Sequence, residues 1–235
     1  MMRQTLDAGL PELGLDLPES ARQTLCDFGA AVIKQNEVMN LTAITQPDQV
    51  AKLHLLDSLT VLTAADLRGK QIIDVGCGAG FPGVPLAIAC PEAQVTLLDS
   101  LGKRVDFLRE TADAMGLRRV RCVHARAEEF ARKHREQFDI ATSRAVAQLN
   151  VLCELALPLV KVGGQFLAMK SVDTDDEIQR ARSAIAQLGG RIGKIWDYTI
   201  PGTDVRHRVV IIRKERPTPA AYPRPFARIK KAPLG

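Results

Sequence analysis

Thirteen residues constrain this fold more than any others. Residues 71 to 83, Gln-Ile-Ile-Asp-Val-Gly-Cys-Gly-Ala-Gly-Phe-Pro-Gly, join an apolar run that ends in an acid to a cluster of glycines. Such a run reads as a buried strand feeding a tight turn. Gly76, Gly78 and Gly80 permit positive φ and carry no Cβ, so a flat ligand, most naturally a nucleoside, can lie against the main chain at the strand's carboxyl end. The plainer alternative is a tight β-to-α turn that holds no ligand.

Spacing narrows the ligand. A dinucleotide fingerprint places glycine at the sixth position of G-x-G-x-x-G, where this chain has Phe81, and Gly80 makes the pattern G-x-G-x-G instead. Asp74, two residues before the first glycine, suits an ammonium better than a pyrophosphate. S-adenosylmethionine carries an ammonium and no phosphate.

Residues 82 to 90 read as a short helix, and residues 94 to 99 as a second strand that again ends in an acid, completing a right-handed βαβ unit. Asp99, 23 residues after Gly76, stands where a carboxylate accepts the two ribose hydroxyls of a nucleoside. Its alternative role is to cap the helix that starts near Gly102. Residues 103 to 115 repeat apolar side chains at helical spacing, and 120 to 124 form a third strand. Ala127 and Glu128 follow it, where a backbone N–H and an acid can meet an adenine edge; Glu128 as an ordinary first-turn charge is the competing reading. Residues 138 to 142 make a fourth strand with Ser143 and Arg144 at its end, a position that lines clefts in such sheets.

Upstream, Ser20 with Gln23 makes a capping-box pattern that opens a helix to about Gln35, and residues 1 to 19 show no periodicity. Pro47 and Asp48 open a second helix with Val50, Leu53, Leu56 and Leu59 as its apolar stripe. On it, His54, Asp57 and Ser58 share one face. They read first as a hydrogen-bond cluster that fastens this cap to the domain, and second as a wall of a substrate cleft. Downstream, residues 148 to 159 are helical, Gly163-Gly164 leads into strand 165 to 170 ending at Lys170, and Thr174 with Glu177 caps a helix to Leu188. Residues 191 to 200 and 206 to 213 form a hairpin about Pro201-Gly202. The whole is an α/β chain with a mostly parallel seven-stranded sheet and an antiparallel finish. Its expected divisions are a helical cap (1–65), a Rossmann-like domain (66–214) and a basic, proline-containing tail (215–235).

Composition adds exclusions. The five cysteines are widely spaced with no C-x-x-C pair, and no His and Cys spacing suggests zinc, so reduced, buried thiols and no metal are expected. Without a transmembrane-length apolar run or a signal pattern, the expected location is the cytoplasm. The net charge is +5, and Arg216, Arg224, Arg228, Lys230 and Lys231 supply five positive charges with no acid from 216 onward, so the excess is a tail.

The chain resembles the RsmG (GidB) family of bacterial methyltransferases. The resemblance rests on Asn40-Leu41-Thr42, His54 with Asp57-Ser58, Asp74 to Gly83, the stretch Leu97-Leu98-Asp99-Ser100-Leu101-Gly102-Lys103-Arg104, Ser143-Arg144-Ala145 and Arg206-His207, with Tyr222-Pro223-Arg224 in the tail. It implies a class I S-adenosylmethionine-dependent fold and methylation of a guanine N7 in 16S rRNA of the small ribosomal subunit. It also implies cofactor contacts at Gly76, Phe81, Ala127, Glu128 and Arg144, to which the physical reading adds Gly78 and Asp99. No general base is expected. Arg144, Lys170 and His54 are the candidates for holding the nucleotide. Ser171 and Leu53 depart from the family pattern, where relatives usually carry glycine and often a basic residue. An inactive ribosome-associated binding module and a small-molecule methyltransferase are the alternatives.

Overall fold

A computed structural model describes every residue of the chain except Ala145. The chain opens with α1 (Met2–Glu12) and α2 (Glu19–Asn36). A continuous helical stretch follows: α3 (Pro47–Val50), a π-helical turn (Ala51–Leu56), α4 (Asp57–Leu59) and α5 (Val61–Ala64). Strands and helices then alternate as β1 (Gln71–Val75), α6 (Gly83–Ala89), β2 (Gln94–Asp99), α7 (Gly102–Ala114), β3 (Val120–His124), α8 (Ala127–Lys133), β4 (Phe138–Arg144), α9 (Leu149–Ala156), β5 (Val160–Ser171) and α10 (Asp175–Gln187). The hairpin β6 (Gly190–Thr199) and β7 (Arg206–Lys214) and a short α11 (Phe226–Lys231) complete it.

The seven strands lie in the order β3-β2-β1-β4-β5-β7-β6. β1 to β5 are parallel and β7 runs antiparallel between β5 and β6. The chain leaves β1 first toward β2 and β3, then returns to build β4 and β5 on the other side, so the order reverses between β1 and β4. A crevice opens at the carboxyl ends of strands at such a point. Successive strand residues alternate between two cores: Ile72, Leu97, Leu167 and Val209 face a cluster with α1, α2, α6 and α7, whereas Ile73, Leu98, Phe166 and Val210 face one with α8 to α11.

Four local expectations change. Contrary to the aperiodic reading of residues 1 to 19, α1 forms there with Met2, Leu6, Leu10 and Leu13 packed on the core at helical spacing, and a Cβ on Gly9 would lie 2.3 Å from Leu56 Cδ1, so glycine lets α1 sit close on the cap. Ser20 and Gln23 form no capping box: Pro18 is the N-cap and Gln23 Nε2 donates to Asp27 Oδ1 at 2.9 Å. Thr174 is an N-cap without a side-chain cap bond. Its hydroxyl donates to the Ser171 carbonyl, and Glu177 is turned away to Lys170 and the Leu149 N–H. β5 begins at Val160 rather than 165, and Gly164 passes so near β4 that a Cβ there would lie 2.5 Å from the Asp139 carbonyl.

The tail packs on the domain. Ile229 is fully buried in the core under α9, and Arg135 donates to the Thr218 and Tyr222 carbonyls. Arg224 forms a forked pair with Glu154, whose side chain is wholly buried, at 2.8 and 2.6 Å. The buried Lys214 ammonium donates to Thr218 Oγ1 at 2.8 Å beside Glu136.

Candidate active site

The crevice at the β1/β4 reversal holds a cavity of about 770 Å³. The turn after β1 forms one wall, with φ of +74° at Gly76, +56° at Gly78 and +98° at Gly80. A Cβ on Gly78 would meet nothing nearer than a carbonyl oxygen at 4.0 Å, so bare main chain faces open space there; on Gly80 it would strike Leu108 at 2.7 Å. Gly80 therefore serves packing, and Gly78 the cavity.

Asp99, at the end of β2, lines the cavity with its carboxylate mostly buried. Its Oδ2 accepts from Gly78 N–H and its Oδ1 from Leu101 N–H, both at 2.9 Å. A carboxylate has about four acceptor sites, so two remain for a diol. The N-cap of α7 is Leu101, not Asp99. Ala127 and the buried Glu128, at the start of α8, line the same cavity, as do Phe81 and Arg144.

Asp74 behaves differently from its expected role. It is fully buried beneath the turn and absent from the cavity wall; Oδ2 accepts from Gly83 N–H at 2.8 Å and anchors α6, while Oδ1 has no partner among the described residues. Burial pushes its pKa up to about 7, against the opposing Gly83 hydrogen bond.

Asp57 is the hub that joins cap to sheet. It is buried and accepts from Arg144 Nη1 at 2.8 Å, from the Tyr198 hydroxyl at 2.7 Å and from His207 Nδ1 at 2.9 Å. Burial alone would raise its pKa; the His207 hydrogen bond and the Arg144 charge outweigh that and hold it below the usual carboxylate value. Arg144 also donates to the Leu53 carbonyl at 3.2 Å and lies 5.1 Å over the Phe81 ring.

His54 bonds to Thr42 Oγ1 at 2.8 Å and stacks on Phe81 with ring centroids 4.7 Å apart. Asn36 Oδ1 holds the loop in reach by accepting from Leu41 and Thr42 N–H. Burial, then the Arg144 charge, lowers the His54 pKa to about 4, so the ring is neutral at pH 7. Thus His54 and Asp57 both fasten the cap and wall the cavity, whereas Ser58 only closes back on the His54 carbonyl. The π-helical turn re-aims this face: Leu55 is fully buried and Leu53 only partly, contrary to the expected stripe.

Lys170 does not reach the cavity. Its ammonium is held by the Ala147 carbonyl and Glu177 Oε1, each at 2.6 Å. Ala145, third residue of the Ser143-Arg144-Ala145 match, lies outside the described residues. Tyr198 and His207 were not foreseen as partners of Asp57. They face each other across the β6/β7 pair, so hairpin register placed them together, but nothing local linked them to the cap. Among the described residues no cluster of His, Cys, Asp or Glu is arranged for a metal, and no helix is long and apolar enough to cross a membrane.

This strand order, with a glycine turn after β1 and an acid closing β2, defines the class I S-adenosylmethionine-dependent methyltransferase fold. A "predicted O-methyltransferase" from Agrobacterium tumefaciens shares it with a TM-score of 0.53 at 25% identity, over 71% of this chain and 83% of that one. M. jannaschii TYW2, solved with AdoMet, gives a TM-score of 0.52 at 16% identity over 65% and 71%. The profile of the GidB family, described as rRNA small subunit methyltransferase G, matches residues 21–197. Ribosomal RNA small subunit methyltransferase G of Alkaliphilus metalliredigens is 43% identical over 235 residues, 99% of this chain and 98% of that one. The chain belongs to the GidB family.

Proposed function

We propose that this protein transfers the methyl group of S-adenosylmethionine to N7 of a guanine in 16S rRNA of the small ribosomal subunit. The observation that carries the reading is 43% identity over nearly the whole chain to a protein named ribosomal RNA small subunit methyltransferase G, joined to a cavity whose donor set suits the cofactor. Asp99 has free acceptor capacity for the ribose, the main chain at Gly78 lies open to a flat group while Val146 packs over Gly76, and Ala127 and Glu128 stand where an adenine edge would be read. An inactive relative would have no cause to keep these converged on one cavity.

When bound, the cofactor supplies an electrophilic methyl on a sulfonium. Guanine N7 has a free lone pair and no proton at neutral pH, so attack requires no general base. The residues then contribute position: Arg144, locked by Asp57 against Phe81, and His54 hold one wall rigid while the base is brought in line with the methyl. Since no general base is needed and His54 in the cavity wall is already neutral, single-turnover transfer at saturating cofactor is expected to be flat from about pH 6.5 to 8.5. A steep rise with one apparent pKa, abolished by His54→Ala, would assign His54 as a base and reject this chemistry.

The direct test is incubation with labelled S-adenosylmethionine and small subunits lacking the modification, followed by borohydride and aniline cleavage at 7-methylguanine. Label in a cleavable guanine of 16S rRNA is the expected result. Label confined to small molecules, or none, rejects the proposal.

A further inference from the structure

Among the described residues, half of the large apolar side chains that stand exposed ring one opening. Leu101, Val146, Val205 and Phe226 are 36% to 52% exposed and all line the cavity. Isolated exposed apolar residues need no explanation, but several gathered at the rim of a site do. They come from four separate segments, the loop after β2, the loop after β4, the β6–β7 turn and the start of α11. Charge is segregated around them: the cavity acids Asp57, Asp99 and Glu128 are buried, whereas Arg126 at the rim and Arg206 beside Val205 are exposed.

Phe226 ties this rim to the tail. It opens α11, and Ile229, one turn later, is buried and pins the helix; Arg224, just before, is clamped by Glu154. Arg228, Lys230 and Lys231 on α11 are exposed and have no side-chain partner among the described residues. An immobile aromatic at the mouth followed by three outward cations matches what a splayed nucleotide offers: an apolar base face toward the opening and a phosphate chain outside it.

Resting on the proposed function above, we propose that α11 is a fixed RNA clamp in which Phe226 stacks on an unpaired base at the cavity mouth and Arg228, Lys230 and Lys231 track the adjoining phosphates. Phe226 is then a positioning residue for the substrate. The surface takes single-stranded RNA, not duplex, because stacking on Phe226 requires an exposed base face.

Binding is measured with unmodified small ribosomal subunits across a salt series, with cofactor binding by calorimetry and thermal midpoints in parallel. Phe226→Ala is expected to weaken subunit binding about tenfold, Phe226→Trp to restore it to within about threefold, and both to leave cofactor affinity within about twofold. Reversing Arg228, Lys230 and Lys231 to Glu is expected to flatten the log-log salt slope by about 0.7 for each phosphate that is no longer neutralised. Weaker cofactor binding with unchanged subunit binding would make Phe226 a cofactor wall. A lowered midpoint with both affinities unchanged would make it a packing residue, and an unaltered salt slope would remove the cations from the interface. Each of these overturns the clamp. If wild-type protein itself neither binds nor methylates the subunit, the functional reading fails first.

Discussion

Asp99 ends β2, Asp74 stands one residue before the end of the neighbouring β1, and the two buried acids do different work. Asp99 keeps two acceptor sites toward the cavity, so Asp99→Ala is expected to weaken S-adenosylmethionine by roughly tenfold to a hundredfold, the worth of a charge-assisted hydrogen-bond pair. Calorimetric titration with unchanged affinity would reject the ribose assignment. Asp74 touches no cavity, and its burial shows up in proton linkage instead. With a folded pKa of about 7 against 3.8 for the free group, the folded state holds the extra proton across that window, so this group's contribution to stability falls as pH rises through it. His54, lowered from 6.5 to about 4, acts in the opposite sense, because the unfolded chain holds the extra proton there. The two slopes oppose each other between about pH 4 and 6.5. Relative to wild type, ligand-free Asp74→Asn should therefore gain stability steadily as pH rises from about 4 to 7. Urea titrations showing a constant difference between the two proteins would rule this out.

At the scale of elements, two buried carboxylates each bolt a peripheral segment to the sheet domain. Asp57 joins the cap to β4, β6 and β7; Glu154 on α9 joins the tail through Arg224. Removing one partner of such a pair leaves a charge without solvent or counter-ion, which costs more than the pair contributes. Arg224→Ala is expected to lose about 3 to 5 kcal/mol, whereas Arg224→Met with Glu154→Leu should recover much of it. Equal losses in the single and double variants, measured by chemical denaturation, would mean that the segment is held mainly by other contacts.

For the molecule as a whole, the tail is part of the folded body. Deleting residues 216 to 235 removes Arg224 from Glu154, Thr218 from Lys214 and Ile229 from the core at once. Glu154 alone then implies a melting temperature lower by about 6 to 20 °C, at roughly 2 to 4 °C per kcal/mol for a chain of this size. An unchanged melting temperature would show the tail to be an appendage. Because the deletion disturbs stability, the tail's share in RNA binding is properly read from the exposed cations of α11 alone.

The sheet was legible in the sequence because its signals are local. Strand ends at Asp99 and His124, the glycine turn, and the hairpin about Pro201-Gly202 follow from period, breakers and backbone freedom within a few residues, and the structure repeats them. Gly76, Gly78, Asp99, Ala127, Glu128 and Arg144 were legible as cavity residues for the same reason, since parallel strands deliver their carboxyl ends to one edge, whereas Phe81 came only from the family resemblance. What needed the tertiary structure were choices among partners distant in the chain. Whether Lys170 faces a ligand or Glu177, whether Thr174 and Glu177 form a box, and whether the tail hangs free or packs on Glu154 are competitions between a local bond and a distant one. α1 docks closely on the cap because Gly9 meets Leu56, and Asp57 is charged in the core because β4, β6 and β7 bring it Arg144, Tyr198 and His207. Local periodicity carries no information about such meetings, because their energy exists only once the chain has closed.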